Sequence, residues 1–252
     1  MITQEDIDHF ENFRTHYIFD VDGTLTPSRG KIDKEFKSFF NSFCLSHNVY
    51  LVTGSDKPKT VEQIGKDTYN LCKRVYNCSG AEVWEGETNT YTSDWKPSGQ
   101  QMAFLMQIAD LSPYPYQYGK TVEVRTGMVN FSVVGRGAVG LQRKNYYEYD
   151  CEHREREKLC RLIMSQYPEL TAVVGGETGI DIYPTGNDKA QCLKHFAGEP
   201  VHFFGDACQE GGNDYAVAHA LSARDDCIVS NVQDWEETWE ILQKYTNPQT
   251  VA

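Results

Sequence analysis

The segment Phe-Asp-Val-Asp-Gly-Thr-Leu-Thr at residues 19–26 constrains the fold of this chain more than any other feature. It continues the β-rich, largely apolar run 15–19, which predicts a buried central strand that ends at Asp20. In open α/β sheets, ligands bind at the carboxyl ends of the strands. The sequence therefore predicts an α/β fold that carries Asp20 and Asp22 at its ligand-binding edge.

Asp20 and Asp22 form a pair suited to phosphoryl transfer. Alternate residues of an extended chain face the same way, so the two carboxylates converge if the extended geometry persists through Val21. Two carboxylates that lie this close together need a hard cation or a proton between them. Gly23 allows a turn whose backbone N–H groups can surround phosphate oxygens. We expect Asp20 to form an aspartyl-phosphate and Asp22 to act as the general acid and base. A plain strand-ending turn, in which Asp and Gly are common, is the alternative.

Two further apolar runs end in polar side chains. Thr53 and Ser55 follow the run 49–52, and their hydroxyls can donate hydrogen bonds to a phosphoryl oxygen. Asp206 follows the run 201–204. Because both runs read as buried strands, these side chains should lie at the same sheet edge as the aspartate pair.

A lysine and a glycine-rich loop complete the pattern. Lys189 lies at the predicted start of a helix, where its ammonium can neutralise Asp20 and the transferring phosphoryl group. The loop Gly-Gly-Asn-Asp follows at 211–214. Taken in chain order, four motifs resemble those of the haloacid dehalogenase superfamily of phosphotransferases: the aspartate pair, Thr53 with Ser55, Lys189, and Asp206 with the loop at 211–214. The resemblance implies that Asn213 and Asp214 orient Lys189 and metal-bound water, and it implies a Mg²⁺ site with the ligands Asp20, Asp22 (through its carbonyl), Asp206 and Asp214.

The composition excludes several functions. With 36 acidic and 24 basic side chains, the net charge of −12 opposes nonspecific binding to nucleic acid. The first residues lack the pattern of a signal peptide, and no apolar run reaches membrane-spanning length. The 8 cysteines are scattered without a C-x-x-C pair, which favours reduced thiols. We therefore expect a cytoplasmic enzyme with no nucleic-acid or membrane partner.

The order of predicted elements separates two domains. Strands and helices alternate at both ends of the chain, including a helix predicted at 58–69, as expected of a Rossmann-like parallel sheet. Between these parts, strands of alternating polarity and helices near 98–109 and 152–167 indicate an inserted α+β cap with an antiparallel sheet. We predict a catalytic core made of residues 1–82 and 187–252 and a cap made of residues 83–186.

Three arginines stand out in the predicted cap: Arg125, Arg136 and Arg143. A guanidinium fork can bind two oxygens of one phosphate, which the point charge of a lysine cannot. Arginines on an antiparallel sheet are more often solvated, so the residue types alone leave both interpretations open. The motif Arg-x-Gly-Met-x-Asn at 125–130, the Gly-Arg step at 135–136 and the arginine seven positions later resemble the cap of eukaryotic-type phosphomannomutases.

The resemblance spans most of the chain, core and cap alike, and it implies an activity. Members of the family are Mg²⁺-dependent phosphoaspartyl enzymes that interconvert hexose 6-phosphate and hexose 1-phosphate through hexose 1,6-bisphosphate, which acts as the activator. The family commonly forms homodimers through its caps. The substrate-binding residues that the resemblance implies are Arg29, Arg125, Met128, Asn130, Arg136, Arg143, Gly179 and Asp181.

Several residues depart from the family's pattern. Gly179 replaces a serine that helps to hold the distal phosphate, and Ala-Cys at 207–208 replaces Lys-Thr. Thr53 is closer to the pattern of sugar phosphatases, whereas Ser55 matches the mutases and is our preferred phosphoryl hydrogen-bond donor. We predict a phosphomannomutase-like enzyme that acts on mannose phosphates, with glucose phosphates left open. A Mg²⁺-dependent sugar-phosphate phosphatase is the alternative. Without the resemblance, Arg29 reads as an exposed loop residue and Asp181 as a turn or strand-end charge.

Overall fold

The computed structural model describes residues 15–28 and 30–246. By the contacts between Cα atoms, the described residues divide into two compact units. One unit comprises the chain up to Thr92 and from Asp188 onward, and the other comprises residues 93–187. The sequence interpretation assigned residues 83–92 to the cap and residue 187 to the core, whereas here residues 83–92 belong to the first unit and residue 187 to the second.

The strands lie in two separate sheets. In chain order they are β1 (His16–Phe19), β2 (Asn48–Val52), β3 (Arg74–Asn77), β4 (Glu82–Glu85), β5 (Thr88–Thr92), β6 (Val122–Arg125), β7 (Met128–Phe131), β8 (Leu170–Gly175), β9 (Gly179–Pro184), β10 (Val201–Gly205) and β11 (Ile228–Asn231). The helices are α1 (Lys34–Ser46), α2 (Lys57–Ile64), α3 (Lys66–Leu71), α4 (Gly99–Asp110), α5 (Leu141–His153), α6 (Glu155–Gln166), α7 (Tyr215–Ser222) and α8 (Trp235–Thr246), with 3₁₀ helices at Cys78–Gly80 and Lys189–Phe196. None of the helices in the described ranges is both long and apolar enough to cross a membrane.

The sheet of the first unit has the strand order β11-β10-β1-β2-β3-β4-β5. Strands β11 to β3 pair in parallel, and β4 and β5 continue the sheet in antiparallel pairing. Phe19 at the end of β1 lies in register with Phe204 of β10 and Leu51 of β2. The carboxyl ends of these three strands are therefore neighbours at one edge of the sheet.

Both faces of the central strand β1 are covered. Phe19 packs on one face beside α1, and its ring stacks on that of Phe204 with the centroids 4.6 Å apart. Ile18 points to the opposite face, where it joins a cluster that includes Val217 of α7. Because successive side chains of a strand point to opposite faces, burial on both sides explains the continuous apolar run that predicted this strand.

Two helices differ from the sequence expectation in the first unit. The predicted helix at 58–69 is divided into α2 and α3 at Gly65, whose φ of 86° lies in the left-handed region and ends the first helix. The helix expected after Asp188 is a 3₁₀ helix, and the Asp188 side chain accepts a hydrogen bond from the backbone N–H of Ala190.

The second unit contains an antiparallel sheet with the order β6-β7-β9-β8. Val129, Phe131, Ile180 and Ile182 are buried on one face, in a cluster with side chains of α4, α5 and α6. Since residues alternate between the faces of a strand, their neighbours in sequence lie on the opposite face. That opposite face carries the polar residues that the sequence singled out.

The helical part of the second unit also differs from expectation. The sequence predicts one helix at 152–167, whereas the structure has α5 and α6 with a break at Arg154, whose φ is 50°. α5 begins after Gly140, which makes no side-chain capping hydrogen bond, so the sequence lacks the usual signal for its start. Arg143 therefore lies in the first turns of a helix.

Candidate active site

Asp20 lies one residue beyond β1 and remains tied to the sheet. Its backbone N–H donates a hydrogen bond to the carbonyl oxygen of Phe204 at 2.9 Å, which continues the pairing with β10. The Asp20 side chain is buried. The end of the central strand thus carries a buried carboxylate, as the sequence predicts.

Lys189 is the buried cation of this site. Its Nζ donates to Oδ1 of Asp20 at 2.6 Å and to Oδ1 of Asp214 at 2.7 Å. The three side chains are no more than 3% exposed. The tertiary structure therefore brings together three residues from the end of β1, the 3₁₀ helix after the cap, and the loop before α7.

The electrostatics of this cluster follow from burial. Burial raises the pKa of Asp20 to about 8, although the nearby Lys189 ammonium opposes the shift. Burial alone would lower the pKa of Lys189, but Asp20 and Asp214 raise it above its ordinary value. Lys189 therefore stays charged, and it is shared by two carboxylates. A second cation beside them would favour the ionised form of Asp20.

Asp20, Asp206 and Asp214 form a set of possible metal ligands. One carboxylate oxygen of each lies within 4.8 Å of the others. Oδ2 of Asp20 is buried and has no hydrogen-bond partner in the described part of the chain. Burial raises the pKa of Asp206, so a bound cation would also favour its charged form. A compact set of carboxylate oxygens with an unpartnered atom suits a hard divalent cation such as Mg²⁺.

Gly23 shapes the space next to these carboxylates. Its φ of 81° lies in the left-handed region, and a Cβ built on it would overlap Oδ2 of Asp206. The glycine that follows the aspartate pair is therefore required both for the turn and for the approach of Asp206.

Asp22 is held by a residue that the sequence interpretation did not identify. Nε2 of Gln63, a buried residue of α2, donates to Oδ1 of Asp22 at 2.8 Å. The backbone of Asp22 pairs with Thr26 in an isolated bridge, so the turn folds back on itself. Because Gln63 restrains the carboxylate, the predicted general acid and base has a defined orientation.

The two predicted hydroxyl donors, Thr53 and Ser55, occupy different environments. Thr53 is buried, and its Oγ1 accepts a hydrogen bond from the backbone N–H of Ser55 at 3.1 Å. Ser55 itself is partly exposed. Thr53 therefore shapes the turn after β2, and the preference for Ser55 as the phosphoryl hydrogen-bond donor stays a prediction. Asn213 is exposed in the loop before α7, and its orienting role also stays a prediction.

On the polar face of the second sheet, Glu123, Asn130 and Asp181 form a row across three strands. Glu123 is the cross-strand partner of Asn130, and Asn130 is the partner of Asp181. Nδ2 of Asn130 donates to Oδ1 of Asp181 at 2.5 Å. Burial raises the pKa of Asp181, while Asn130, Arg125 and Arg136 oppose the shift. The structure thus places four of the predicted substrate residues near one another, and Met128, paired with Arg125 at the end of this hairpin, lies on the same face.

The three predicted phosphate-binding arginines each contact a carboxylate of their own unit. Nε and Nη2 of Arg125 donate to Oε2 of Glu123 at 3.1 and 2.6 Å, and Nε of Arg136 donates to the same oxygen at 3.1 Å. Nε of Arg143 donates to Oε2 of Glu177 at 2.8 Å. Arg125 and Arg136 therefore meet at Glu123, and Arg143 has a separate partner in the turn between β8 and β9.

Gly179 lies beside this row. A Cβ on Gly179 would lie 2.9 Å from Nδ2 of Asn130 and 3.0 Å from the carbonyl oxygen of Gly175. The Asn130 amide therefore occupies the space that a side chain at position 179 would need. Arg29, the remaining predicted substrate residue, lies outside the described residues.

Gln63, Glu123 and Glu177 are the contacts that sequence analysis missed. A single Gln or Glu is not part of a recognisable motif. Only the folded structure brings each of these residues next to the site residue that it contacts. The alternation of β6 did hold one signal, since it places Glu123 on the same face as Arg125.

Comparisons with known proteins show the family to which the chain belongs. The model of the eukaryotic phosphomannomutase family matches residues 36–247. The chain belongs to the eukaryotic phosphomannomutase family. The phosphomannomutase of Saccharomyces cerevisiae is 30% identical over 236 residues, covering 86% of this chain and 93% of the relative. Phosphomannomutase 1 of Dictyostelium discoideum is 33% identical over 214 residues, covering 80% of this chain and 86% of the relative. The resemblance to eukaryotic-type phosphomannomutases and the predicted enzyme class are therefore confirmed.

Solved structures confirm the fold of this phosphomannomutase family member. Trehalose-6-phosphate phosphatase of Aspergillus fumigatus has a TM-score of 0.58 at 13% identity, covering 96% of each chain. The sugar phosphatase BT4131, of subclass IIB of the haloacid dehalogenase superfamily, has a TM-score of 0.56 at 15% identity, covering 92% of this chain and 99% of that one. At such low identity the likeness concerns the fold alone. It supports the predicted α/β core with an α+β cap.

Proposed function

We propose that this chain interconverts mannose 6-phosphate and mannose 1-phosphate, with Asp20 as the residue that carries the phosphoryl group. The observation that most supports this role is the asymmetry of the Asp20 carboxylate. Lys189 holds Oδ1 at 2.6 Å, while Oδ2 is buried without a partner among the described residues. A carboxylate with one anchored oxygen and one available oxygen is suited to directed attack on phosphorus.

The chemical steps follow from the two aspartates. An oxygen of Asp20 attacks one phosphorus of hexose 1,6-bisphosphate, the bond from that phosphorus to the sugar oxygen breaks, and the Asp22 carboxyl gives its proton to that oxygen, which leaves a hexose monophosphate. In the return step, Asp22 takes the proton from a free hydroxyl of a hexose monophosphate as that hydroxyl attacks the aspartyl-phosphate and forms the bisphosphate again. The bond from phosphorus to Asp20 then breaks and frees the carboxylate. Gln63 keeps Asp22 oriented for both proton transfers.

The carboxylates that gather near the end of β1 would hold Mg²⁺. We assign Asp20, the carbonyl of Asp22, Asp206 and Asp214 to this role, with the carboxylate set of Asp20, Asp206 and Asp214 as the support. When bound, Mg²⁺ neutralises negative charge on the carboxylates and the phosphoryl group. Lys189 supplies a fixed positive charge beside Asp20. This charge stabilises the negative charge that develops during phosphoryl transfer.

Binding of the second phosphate distinguishes a mutase from a hydrolase. A mutase must hold the phosphate that is not reacting, and we assign this role to Arg125, Arg136 and Arg143. Asn130 and Asp181 would bind sugar hydroxyls beside them, with Met128 and Gly179 shaping the surface. We further propose that hexose 1,6-bisphosphate is the activator, because it can phosphorylate Asp20, and that the chain forms a homodimer through its cap.

An activator-dependent product assay tests the proposed function. Mannose 1-phosphate is incubated with the protein, Mg²⁺ and a catalytic amount of hexose 1,6-bisphosphate. A mutase yields mannose 6-phosphate and depends on the activator, and Asp20→Asn abolishes the conversion. Release of inorganic phosphate as the main product would instead establish the sugar-phosphate phosphatase.

A variant of the second unit tests the arginine assignment. Arg143→Ala should lower kcat/KM for isomerisation by about 100-fold, because charge-assisted bidentate bonds to the remote phosphate are lost. Hydrolysis of a small ester such as p-nitrophenyl phosphate, which has no second phosphate, should change little. Arg161→Ala, which removes an exposed arginine of α6, is the matched control. Equal losses in both reactions would contradict the assignment.

A further inference from the structure

Glu177 contacts one of the proposed phosphate-binding arginines from a turn. Its Oε2 accepts a hydrogen bond from Nε of Arg143 at 2.8 Å. The side chain of Glu177 is 57% exposed, whereas that of Arg143 is 26% exposed. The guanidinium is thus partly enclosed, and its present carboxylate partner comes from the solvent side.

Glu123, the other carboxylate among these arginines, is bound differently. Its Oε2 accepts three N–H bonds, two from Arg125 and one from Arg136, and it lies within strand β6. Glu177 accepts one such bond from a turn that joins β8 and β9. A single exposed ion pair is weak, so Glu177 is the carboxylate that an incoming anion can displace.

The turn that carries Glu177 is fixed by contacts that do not involve its side chain. Nη1 of Arg156 donates to the carbonyl oxygens of Gly176 at 2.8 Å and Gly179 at 3.4 Å. Arg156 is buried and is itself held by Asp150, with Nε to Oδ2 at 2.7 Å. Replacing the Glu177 carboxylate by an amide therefore leaves the backbone of the turn supported.

We propose that Glu177 competes with the substrate phosphate for Arg143 and thereby sets the affinity of the enzyme for hexose phosphate. This inference rests on the proposed function of Arg143. The Nε–H of Arg143 cannot donate a full hydrogen bond to both the carboxylate and a phosphate oxygen, and a carboxylate left beside a bound phosphate repels it. Both effects weaken the binding of the substrate phosphate to Arg143. Removal of the negative charge at position 177 should therefore strengthen this binding. For an exposed ion pair, the expected gain in affinity is about two- to fivefold.

The test compares Glu177→Gln with a charge-matched control. Glu157→Gln removes the same charge from the same unit, at a residue that pairs with Arg154 on the surface of α6. Each substitution is made in the active enzyme and in the Asp20→Asn background. The KM for mannose 1-phosphate is measured in the first, and binding of mannose 1-phosphate by titration calorimetry in the second, at fixed ionic strength.

We expect Glu177→Gln to lower both KM and the dissociation constant for mannose 1-phosphate by about two- to fivefold, with a smaller effect on kcat. Glu157→Gln should leave KM and the dissociation constant unchanged. Unchanged or weaker binding in Glu177→Gln overturns the proposal, as does an equal gain in Glu157→Gln. The titration requires no turnover. If the unsubstituted chain fails to isomerise mannose 1-phosphate, the proposed function fails while the role of Glu177 is still decided by the calorimetry.

Discussion

Nζ of Lys189 lies 2.6 Å from Oδ1 of Asp20, although 169 positions separate the two residues in the chain. The same ammonium lies 2.7 Å from Oδ1 of Asp214. One buried cation thus joins a strand end of the first part of the core to a loop of the last part. This contact couples the stability of the core to the chemistry of its predicted nucleophile.

Lys189→Met should damage both activity and stability. It leaves two buried carboxylates without their cation, so the free energy of unfolding should fall by about 3–5 kcal/mol in the absence of Mg²⁺. kcat should fall by about 100-fold or more, because a fixed positive charge at the transferring group is lost. Urea unfolding and mutase assays measure the two effects. Lys194→Met, at an exposed position of the same 3₁₀ helix, should change neither; comparable effects in both variants would contradict the assignment.

Gly23→Ala should impair metal binding more than it impairs folding. A Cβ at this position overlaps Oδ2 of Asp206, so the carboxylate must move. We expect the Mg²⁺ concentration for half-maximal activity to rise about 10-fold or more. Gly198→Ala is the matched control, because Gly198 also has a positive φ, of 78°, but a Cβ there meets nothing within 4 Å. Both variants should lose about 1 kcal/mol of stability through backbone strain. An unchanged Mg²⁺ requirement in Gly23→Ala would refute the steric argument.

Gln63→Leu should lower kcat with little change in KM. The substitution removes the 2.8 Å hydrogen bond to Asp22, so the proton-transferring carboxylate loses its orientation. A fall in kcat of about 10-fold fits a partial loss of general acid–base catalysis. Gln101→Leu provides the comparison, since Gln101 is also buried but donates to Glu169 in the other unit. Steady-state kinetics and thermal unfolding separate the two cases. A loss of stability without a specific loss of kcat would show that Gln63 only supports the fold.

His202 should make the protein sensitive to acid. It is buried in β10, hydrogen-bonded to Ser230 and Tyr245, and burial lowers its pKa to about 4. Between about pH 4 and the ordinary histidine pKa near 6.5, the unfolded chain binds a proton that the native protein does not. Stability is therefore lost as the pH falls through this window, by about 3 kcal/mol from this residue.

The measurement for His202 is the free energy of urea unfolding at pH 7 and pH 4.5. His202→Gln should lose less stability between these pH values than the unsubstituted protein does. His219→Gln, at an exposed position of α7, should lose as much stability between these pH values as the unsubstituted protein does. If the free energy of unfolding falls equally between pH 7 and pH 4.5 in His202→Gln and in the unsubstituted protein, His202 is not the source of the acid sensitivity.

Much of the core site could be predicted because strand ends converge. Apolar runs before Asp20 and Asp206 predict buried parallel strands, and the carboxyl ends of such strands lie at one edge of the sheet. The structure brings these two carboxylates within metal-binding distance. The antiparallel pair β4–β5 and the helix α5 could not be predicted in the same way. β5 is exposed throughout, and α5 starts without a side-chain cap, so both lack the signals on which periodicity and capping arguments depend.

The sequence by itself determined the residue types of the chemistry and the edge of the sheet where they gather, because motif order and strand periodicity are local properties of the chain. Only the tertiary structure decided which partners those residues have. Gln63 reaches Asp22 across 41 positions, and Glu177 reaches Arg143 across 34. Such contacts depend on how separate elements pack, and a hydrogen bond between distant side chains leaves no pattern in either segment alone. The orientation of Asp22 and the charge that faces Arg143 are therefore properties of the fold.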